Sequence, residues 1–154
     1  MHRRRFVLTA LAALPLAGLA GRSLAAASLP EVHVFKSPTC GCCAAWVEHL
    51  QGAGFAVRVT EVDDTTAARK RLGMPDRLGS CHTATVAGYV LEGHVPAADV
   101  KRLLAQRPQV LGLAVPGMPV GSPGMEVGAR QDPYEVFLVD RRGRETVYAR
   151  YPKG

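Results

Sequence analysis

The 154-residue sequence has no apolar run of the ~18–20 residues that a spanning helix needs, apart from one borderline stretch at its start. It has no internal repeats. Charged residues are only 21% and mean hydropathy is +0.04, which excludes an intrinsically disordered chain. Aromatics are 6%, and no long basic stripe interleaves them, so the footprint of a nucleic-acid binder is missing. The length suffices for one core and not for two. Cysteine is scarce as well, with four in the chain, but their placement carries most of the functional information.

The first 27 residues read as an address. Met1 to Arg5 holds three arginines and no acid, Phe6 to Ala20 is apolar, and Ala25-Ala26-Ala27 supplies small residues before Ser28. A basic head, a short apolar middle and a small-residue exit make a secretory signal peptide over 1–27. Arg3-Arg4-Arg5-Phe6-Val7-Leu8 also resembles a twin-arginine export signal. The expected mature domain is 28–154, exported to the periplasm, with no membrane span left after cleavage. Four of the 19 basic residues (Arg3, Arg4, Arg5 and Arg22) leave with the leader, so 15 remain against 13 acidic ones, a net +2. The short runs Arg69-Lys70-Arg71 and Arg141-Arg142-Gly143-Arg144 then read as a solvated helix face and a charged turn, and no nucleic-acid partner is expected.

Along the mature chain, Val32-His33-Val34-Phe35 is a β-rich run stopped by Ser37-Pro38. Cys42 to Leu50 has helical spacing, with Gly52 and Gly54 beyond its end. Phe55 to Val62 alternates as a second strand, and Thr65 or Thr66 can cap a helix that runs through Leu72. Asp76 to Ser80 reads as a loop. Thr83–Ala87 and Val90–Gly93 read as two strands around a Gly88-Tyr89 turn. Pro96 opens a third helix with Val100, Leu103 and Leu104 on its apolar face. Val110 to Gly128 is crowded with glycine and proline and reads as loop throughout. Tyr134–Val139 and Glu145–Tyr151 form a last hairpin. The order β-α-β-α-β-β-α implies an α/β fold: a thioredoxin-like mixed sheet with flanking helices, followed by a Gly/Pro loop and a C-terminal β-hairpin.

Three of the four cysteines, Cys40, Cys42 and Cys43, stand within four residues at the junction of the first strand and first helix. Cys40 and Cys43 have C-x-x-C spacing. A helix start favours an anion, so these thiols are more easily ionised, and the thiolate is both nucleophile and metal ligand. Cys81-His82 precedes the third strand. In such a sheet that point faces the start of the first helix, so the two segments should meet. With a Gly88-Tyr89 turn, Thr83 pairs with His94 and brings it beside the same corner. His49 lies ~10 Å along the helix from Cys42 and is rejected as a ligand; His33, inside a strand, is read as structural.

Four sulfurs with one or two imidazoles form a soft donor set, which suits Cu(I) or Zn(II). The ligands exceed the four of a closed zinc site. Surplus thiolates point to bridging of several ions, and this favours Cu(I) over Zn(II). Met118 and Met125 in the Gly/Pro loop are available as thioethers, although packing over the domain is the commoner use of such residues. Two structural disulfides would also account for four cysteines in an exported protein, but the three-in-four cluster is too compact to staple distant segments.

Four motifs in order carry a family resemblance: Ser37-Pro38-Thr39-Cys40-Gly41-Cys42-Cys43, Cys81-His82-Thr83-Ala84, Glu92-Gly93-His94-Val95-Pro96, and the run from Gly112-Leu113-Ala114-Val115-Pro116-Gly117-Met118-Pro119 through Gly121-Ser122-Pro123-Gly124-Met125-Glu126. From about Val32 to Tyr151 the chain resembles the CopG-like periplasmic copper-resistance proteins. The resemblance implies a thioredoxin-like fold holding copper in a thiolate-bridged cluster, with Cys40, Cys42, Cys43, Cys81, His82 and His94 as ligands and other periplasmic copper-handling proteins as partners. It also implies a copper redox role, although the residues alone leave catalysis open. Two readings therefore stand side by side: a copper-resistance protein binding Cu(I), and a thiol–disulfide oxidoreductase using Cys40 and Cys43. Cys42 is redundant for a two-cysteine exchange, and a disulfide-stapled interaction domain leaves the histidines unexplained.

Overall fold

Val32 and Val34 alternate with His33 and Phe35, and that period of two builds the first strand, β1 (Val32–Lys36), with both valines fully buried. This computed structural model describes residues 28–153; the expected leader over 1–27 lies outside the described residues. After β1 the chain turns into α1 (Gly41–Gly52), whose buried face is Cys43, Trp46, Val47 and Leu50. β2 (Val57–Glu61) returns parallel to β1, with Val34 opposite Val59. Phe55 precedes this strand, and β2 itself is largely exposed because it forms one edge of the sheet.

α2 (Thr65–Arg71) is capped by Asp64, whose carboxylate accepts from the Thr66 and Ala67 N–H groups at 2.8 and 3.1 Å. The cap thus sits one residue before the threonines expected from sequence, because a carboxylate there reaches two otherwise unpaired N–H groups. The expected loop at Asp76 to Ser80 begins with a short 3₁₀ turn (Asp76–Leu78). β3 (His82–Val86) and β4 (Tyr89–Glu92) form a hairpin that turns at Ala87-Gly88, not at Gly88-Tyr89. Both turn residues have positive φ, 47° and 85°, the geometry that matches the twist of the flanking strands. Tyr89 belongs to the strand because its ring packs on the core and its hydroxyl donates to the Pro108 carbonyl at 2.9 Å.

Pro96 is the residue just before α3 (Ala97–Gln106), not part of its first turn. The expected loop over 110–128 contains a three-residue strand, β5 (Gly112–Ala114), parallel to β4 and antiparallel to β6 (Tyr134–Val139). Its glycine is required by contact: a Cβ on Gly112 would lie 1.7 Å from the Val90 carbonyl oxygen. β6 pairs with β7 (Glu145–Tyr151), so the C-terminal hairpin joins the main sheet and is not an appendage. The result is a seven-stranded mixed sheet in the order β2-β1-β3-β4-β5-β6-β7.

Apolar side chains of α1 and α3, including Trp46, Leu50, Val100 and Leu103, pack on Val32, Val34, Leu91 and Leu113. Residues of alternate parity, Val90, Ala114 and Val139, face the other side and pack with Met74 and Leu78 beyond α2. The α/β class, the mixed sheet and the flanking helices are as the sequence implies. Among the described residues no helix is long and apolar enough to cross a membrane.

Candidate metal centre

Cys40 is the N-cap of α1, with extended φ and ψ and no side-chain capping bond. Cys42 and Cys43 follow in the first turn, where there is no acidic residue. Three of the four sulfurs are thus carried by the first turn of one helix and the residue before it. β3 runs antiparallel to β1 with His82 opposite Lys36. The end of β1, the start of α1 and the start of β3 consequently meet at one end of these two paired strands.

That meeting brings together sulfurs 38 and 39 residues apart in sequence: Cys81 Sγ is 3.4 Å from Cys43 Sγ and 3.8 Å from Cys42 Sγ. Cys40 Sγ is 3.5 Å from Cys42 Sγ, and all four sulfurs lie within 4.8 Å of one another. Cys40 and Cys43 are joined as a disulfide, while Cys42 and Cys81 are free thiols. The bonded pair is the C-x-x-C pair; reduction returns both sulfurs to the cluster.

The hairpin register corrects the route by which His94 arrives. Thr83 pairs with Glu92, not with His94. The Gly93 N–H donates to the His82 carbonyl at 3.0 Å, which continues that register and sets His94 against Cys81. His94 Nε2 is 3.1 Å from Cys81 Sγ, and His82 Nδ1 is 3.3 Å from the same sulfur. Cys81, His82 and His94 thus form a second group of donors within 4.8 Å, sharing Cys81 with the first.

The tautomer of His94 follows from its other contact. Nδ1 is 2.8 Å from the Pro123 carbonyl; a carbonyl only accepts, so Nδ1 carries the proton and Nε2 offers its lone pair to the cluster. The carbonyl is delivered by the Gly/Pro loop, which lies on the start of α1. A Cβ on Gly124 would sit 2.7 Å from the Cys42 carbonyl oxygen and from the Trp46 nitrogen, and φ there is +84°. Trp46 closes the inner side, with its ring centroid 4.4 Å from that of His82 and its indole N–H donating to the Val95 carbonyl at 2.9 Å.

Electrostatics keep both imidazoles neutral. Burial, reinforced by the neighbouring His94, lowers the His82 pKa to about 3, and burial lowers that of His94. Burial and the nearby Cys42 push the Cys81 thiol up to about 12. Without a cation this corner holds a protonated thiol and two neutral rings; a bound cation is what would take the place of that proton. His82 Nε2 is buried and has no hydrogen-bond partner, the one such side-chain nitrogen or oxygen among the described residues. Two overlapping sulfur and imidazole groups and an orphaned ring nitrogen are the chemistry of a soft-metal site.

Outside the cluster, His49 Nε2 accepts from the Ala97 N–H at 3.0 Å, which pins α1 to the start of α3. His33 is on β1, its Nε2 2.7 Å from the hydroxyl of Thr60 on the edge strand β2. Met118 is half exposed, on a loop tied to the site by hydrogen bonds from the Gly117 N–H to Gly79 and from the Ser80 hydroxyl to Gly117. Met125 is partly buried. A cavity of about 720 Å³, lined by Leu29, Tyr89, Lys101 and Arg107 among others, lies at the far end of β3.

Two solved structures of copper resistance protein CopG are similar to this chain. Form 2 is 48% identical with a TM-score of 0.77, covering 80% of this chain and 99% of that one. Form 1 is 47% identical with a TM-score of 0.76, covering 81% and 99%. This chain belongs to the CopG family. A family model described as a protein of unknown function, DUF411, matches residues 78–125, and no curated protein matches. The segment matched by that family model contains Cys81, His82 and His94 and the loop through Met125, but not the cysteines of α1. Sequence reading missed two residues at this corner: Glu92, quoted only as part of a motif, and Arg69, assigned to a solvated helix face but in fact buried. A periodicity that turns Ala68 and Arg69 inward together was the available signal.

Proposed function

We propose that this chain is a periplasmic copper-binding protein serving copper resistance, with Cu(I) as its cargo in a thiolate-rich, multinuclear site. Its ligands are Cys40, Cys42, Cys43, Cys81, His82 and His94. The observation that carries the reading is the convergence of two distant segments: four sulfurs within 4.8 Å, sharing Cys81 with two buried imidazoles. CopG, the copper-resistance protein it resembles at 48% identity, supports the choice of metal. A soft set larger than four favours Cu(I), because each monovalent ion offsets one thiolate and bridging sulfur lets several ions share the donors. Copper's two accessible oxidation states add redox cycling to the proposal.

The deciding experiment is metal analysis with a thiol count on protein purified anaerobically from copper-fed cells. More than one Cu(I) per chain is expected. A single zinc unmoved by excess Cu(I) would replace this reading with a structural-zinc site.

Export is proposed with it, since the leader over 1–27 has the three parts of a secretory signal. Sequencing of the protein from its own host should begin at Ser28 or within a few residues. Full-length chain in the cytoplasm would sink the periplasmic placement.

One observation favours a second reading. Cys40 and Cys43 are joined at C-x-x-C spacing, as a thiol–disulfide oxidoreductase requires. Under that reading Cys42 has no role.

A further inference from the structure

Cys81 lies just outside β3 at the bend by which the chain enters it, and His82 is the first residue of that strand, paired with Lys36 on β1. Glu92 on β4 is completely buried beneath that bend. One carboxylate oxygen, Oε1, accepts from the Ser80 N–H at 2.7 Å, and the other, Oε2, accepts from the Thr83 hydroxyl at 2.6 Å. Ser80 and Thr83 are the residues on either side of Cys81-His82. Arg69, nine-tenths buried, reaches in from α2. Its guanidinium donates to Glu92 Oε1 at 3.2 Å and to the Ser80 carbonyl at 3.4 Å. The ion pair therefore grips both the N–H and the C=O of Ser80. Packing leaves no slack around it. A Cβ on Gly79 would lie 2.7 Å from Arg69 Cζ, and one on Gly93 would lie 2.6 Å from Ser80 Cβ.

A buried carboxylate and guanidinium are an expensive way to tie a turn, since apolar residues of similar volume often stabilise a fold as well or better. What this pair does that apolar packing cannot do is fix direction, because each bond is aimed at a named backbone or hydroxyl group. We propose that Glu92, with Arg69 behind it, is a positioning residue of the metal centre: it clasps the segment on both sides of Cys81-His82 so that the Cys81 sulfur and the His82 ring face the start of α1. The inference rests on the reading of the cluster as a Cu(I) site.

The test is a set of Cu(I) competition titrations with a chromogenic chelator on the reduced, anaerobic protein. Glu92→Gln keeps the clasp, because the amide oxygen accepts from Ser80 and the amide nitrogen donates to the Thr83 hydroxyl; it should stay within ~3-fold of wild type. Arg69→Met combined with Glu92→Leu removes the clasp without stranding a buried charge. That double variant should fold and bind Cu(I) ~10–100-fold more weakly, the usual cost of losing a partner that orients a ligand. In a Cys81→Ser, His82→Ala background the same double change should alter the residual binding less than ~3-fold, since both groups being positioned are already gone. If circular dichroism shows the double variant unfolded, Thr83→Val takes its place. It removes one anchor at constant volume, and a several-fold loss confined to the protein that retains Cys81 and His82 is expected.

Wild-type affinity in the double variant, or in Thr83→Val where that replaces it, would overturn the inference. An equal loss with and without Cys81 and His82 would also overturn it, because the pair would then act on the fold at large. Failure of the wild-type protein to take up Cu(I) would overturn the copper reading and this inference with it.

Discussion

Cys42→Ser and Cys81→Ser should each cut the Cu(I) capacity of the reduced protein to roughly half or less while leaving the fold intact, because a serine hydroxyl is neither soft nor ionised at neutral pH. Both positions tolerate the change sterically, since oxygen is smaller than sulfur and both side chains are only partly buried. The expected size comes from their location. Cys42 Sγ lies between Cys40 and Cys81 at 3.5 and 3.8 Å, and Cys81 Sγ touches Cys42, Cys43 and both imidazoles. In the proposed multinuclear site a sulfur in such a place would bridge, so losing it would disconnect neighbours as well as remove one donor. His82→Ala should weaken binding less, ~10-fold, because the thiolate core remains.

The same variants separate the two functional readings. In a thiol–disulfide exchanger working through the Cys40–Cys43 disulfide, Cys42→Ser should leave insulin reduction nearly intact. The copper reading is abandoned if Cys42→Ser and Cys81→Ser both bind Cu(I) like wild type while Cys40→Ser alone abolishes exchange.

Gly112→Ala should be the most destabilising single-methyl change in the sheet. Its Cβ would stand 1.7 Å from the Val90 carbonyl oxygen and 2.7 Å from the Val90 carbonyl carbon. Those are backbone atoms of the neighbouring strand, so no side chain can swing aside. β5 must move off β4, and β5 is what links the β6–β7 hairpin to the rest of the sheet. A loss of about 4 kcal/mol or more is expected, ~15 °C in Tm for a domain of this size. The control is Gly52→Ala in α1, where an added Cβ meets nothing within 4 Å. It should be neutral or stabilise by up to about 1 kcal/mol. A Gly112→Ala protein melting within ~3 °C of wild type would mean that β4 and β5 do not approach as described.

How much of this was legible without coordinates depends on whether the signal was local. Val32 to Phe35, the α1 periodicity through Trp46, Val47 and Leu50, and the last hairpin at Tyr134–Val139 and Glu145–Tyr151 were read from spacing, because their residues alternate or recur on a face whichever neighbours they meet. The first strand and helix, taken with the order of the elements, were enough to bring Cys81-His82 to Cys40, Cys42 and Cys43. A parallel crossover followed by an antiparallel hairpin leaves few places for the start of β3 to go.

Wherever a contact between distant segments set the outcome, the local pattern ran out. β5 is three residues of Gly-Leu-Ala in a stretch rich in glycine and proline, and pairing on two sides makes it a strand. The β3–β4 turn lies at Ala87-Gly88 and not at Gly88-Tyr89: Gly88 keeps its place in the turn, while Tyr89 joins β4 because its ring packs on the core. That placement changed the partner of Thr83 from His94 to Glu92, and so put a carboxylate under the site and His94 on Cys81. The identity of the soft donors is a property of the sequence alone. Their mutual distances, the proton on His94 Nδ1 held by the Pro123 carbonyl, and the buried Arg69–Glu92 pair belong to the tertiary structure, because each depends on groups far apart in the chain whose approach no local period encodes.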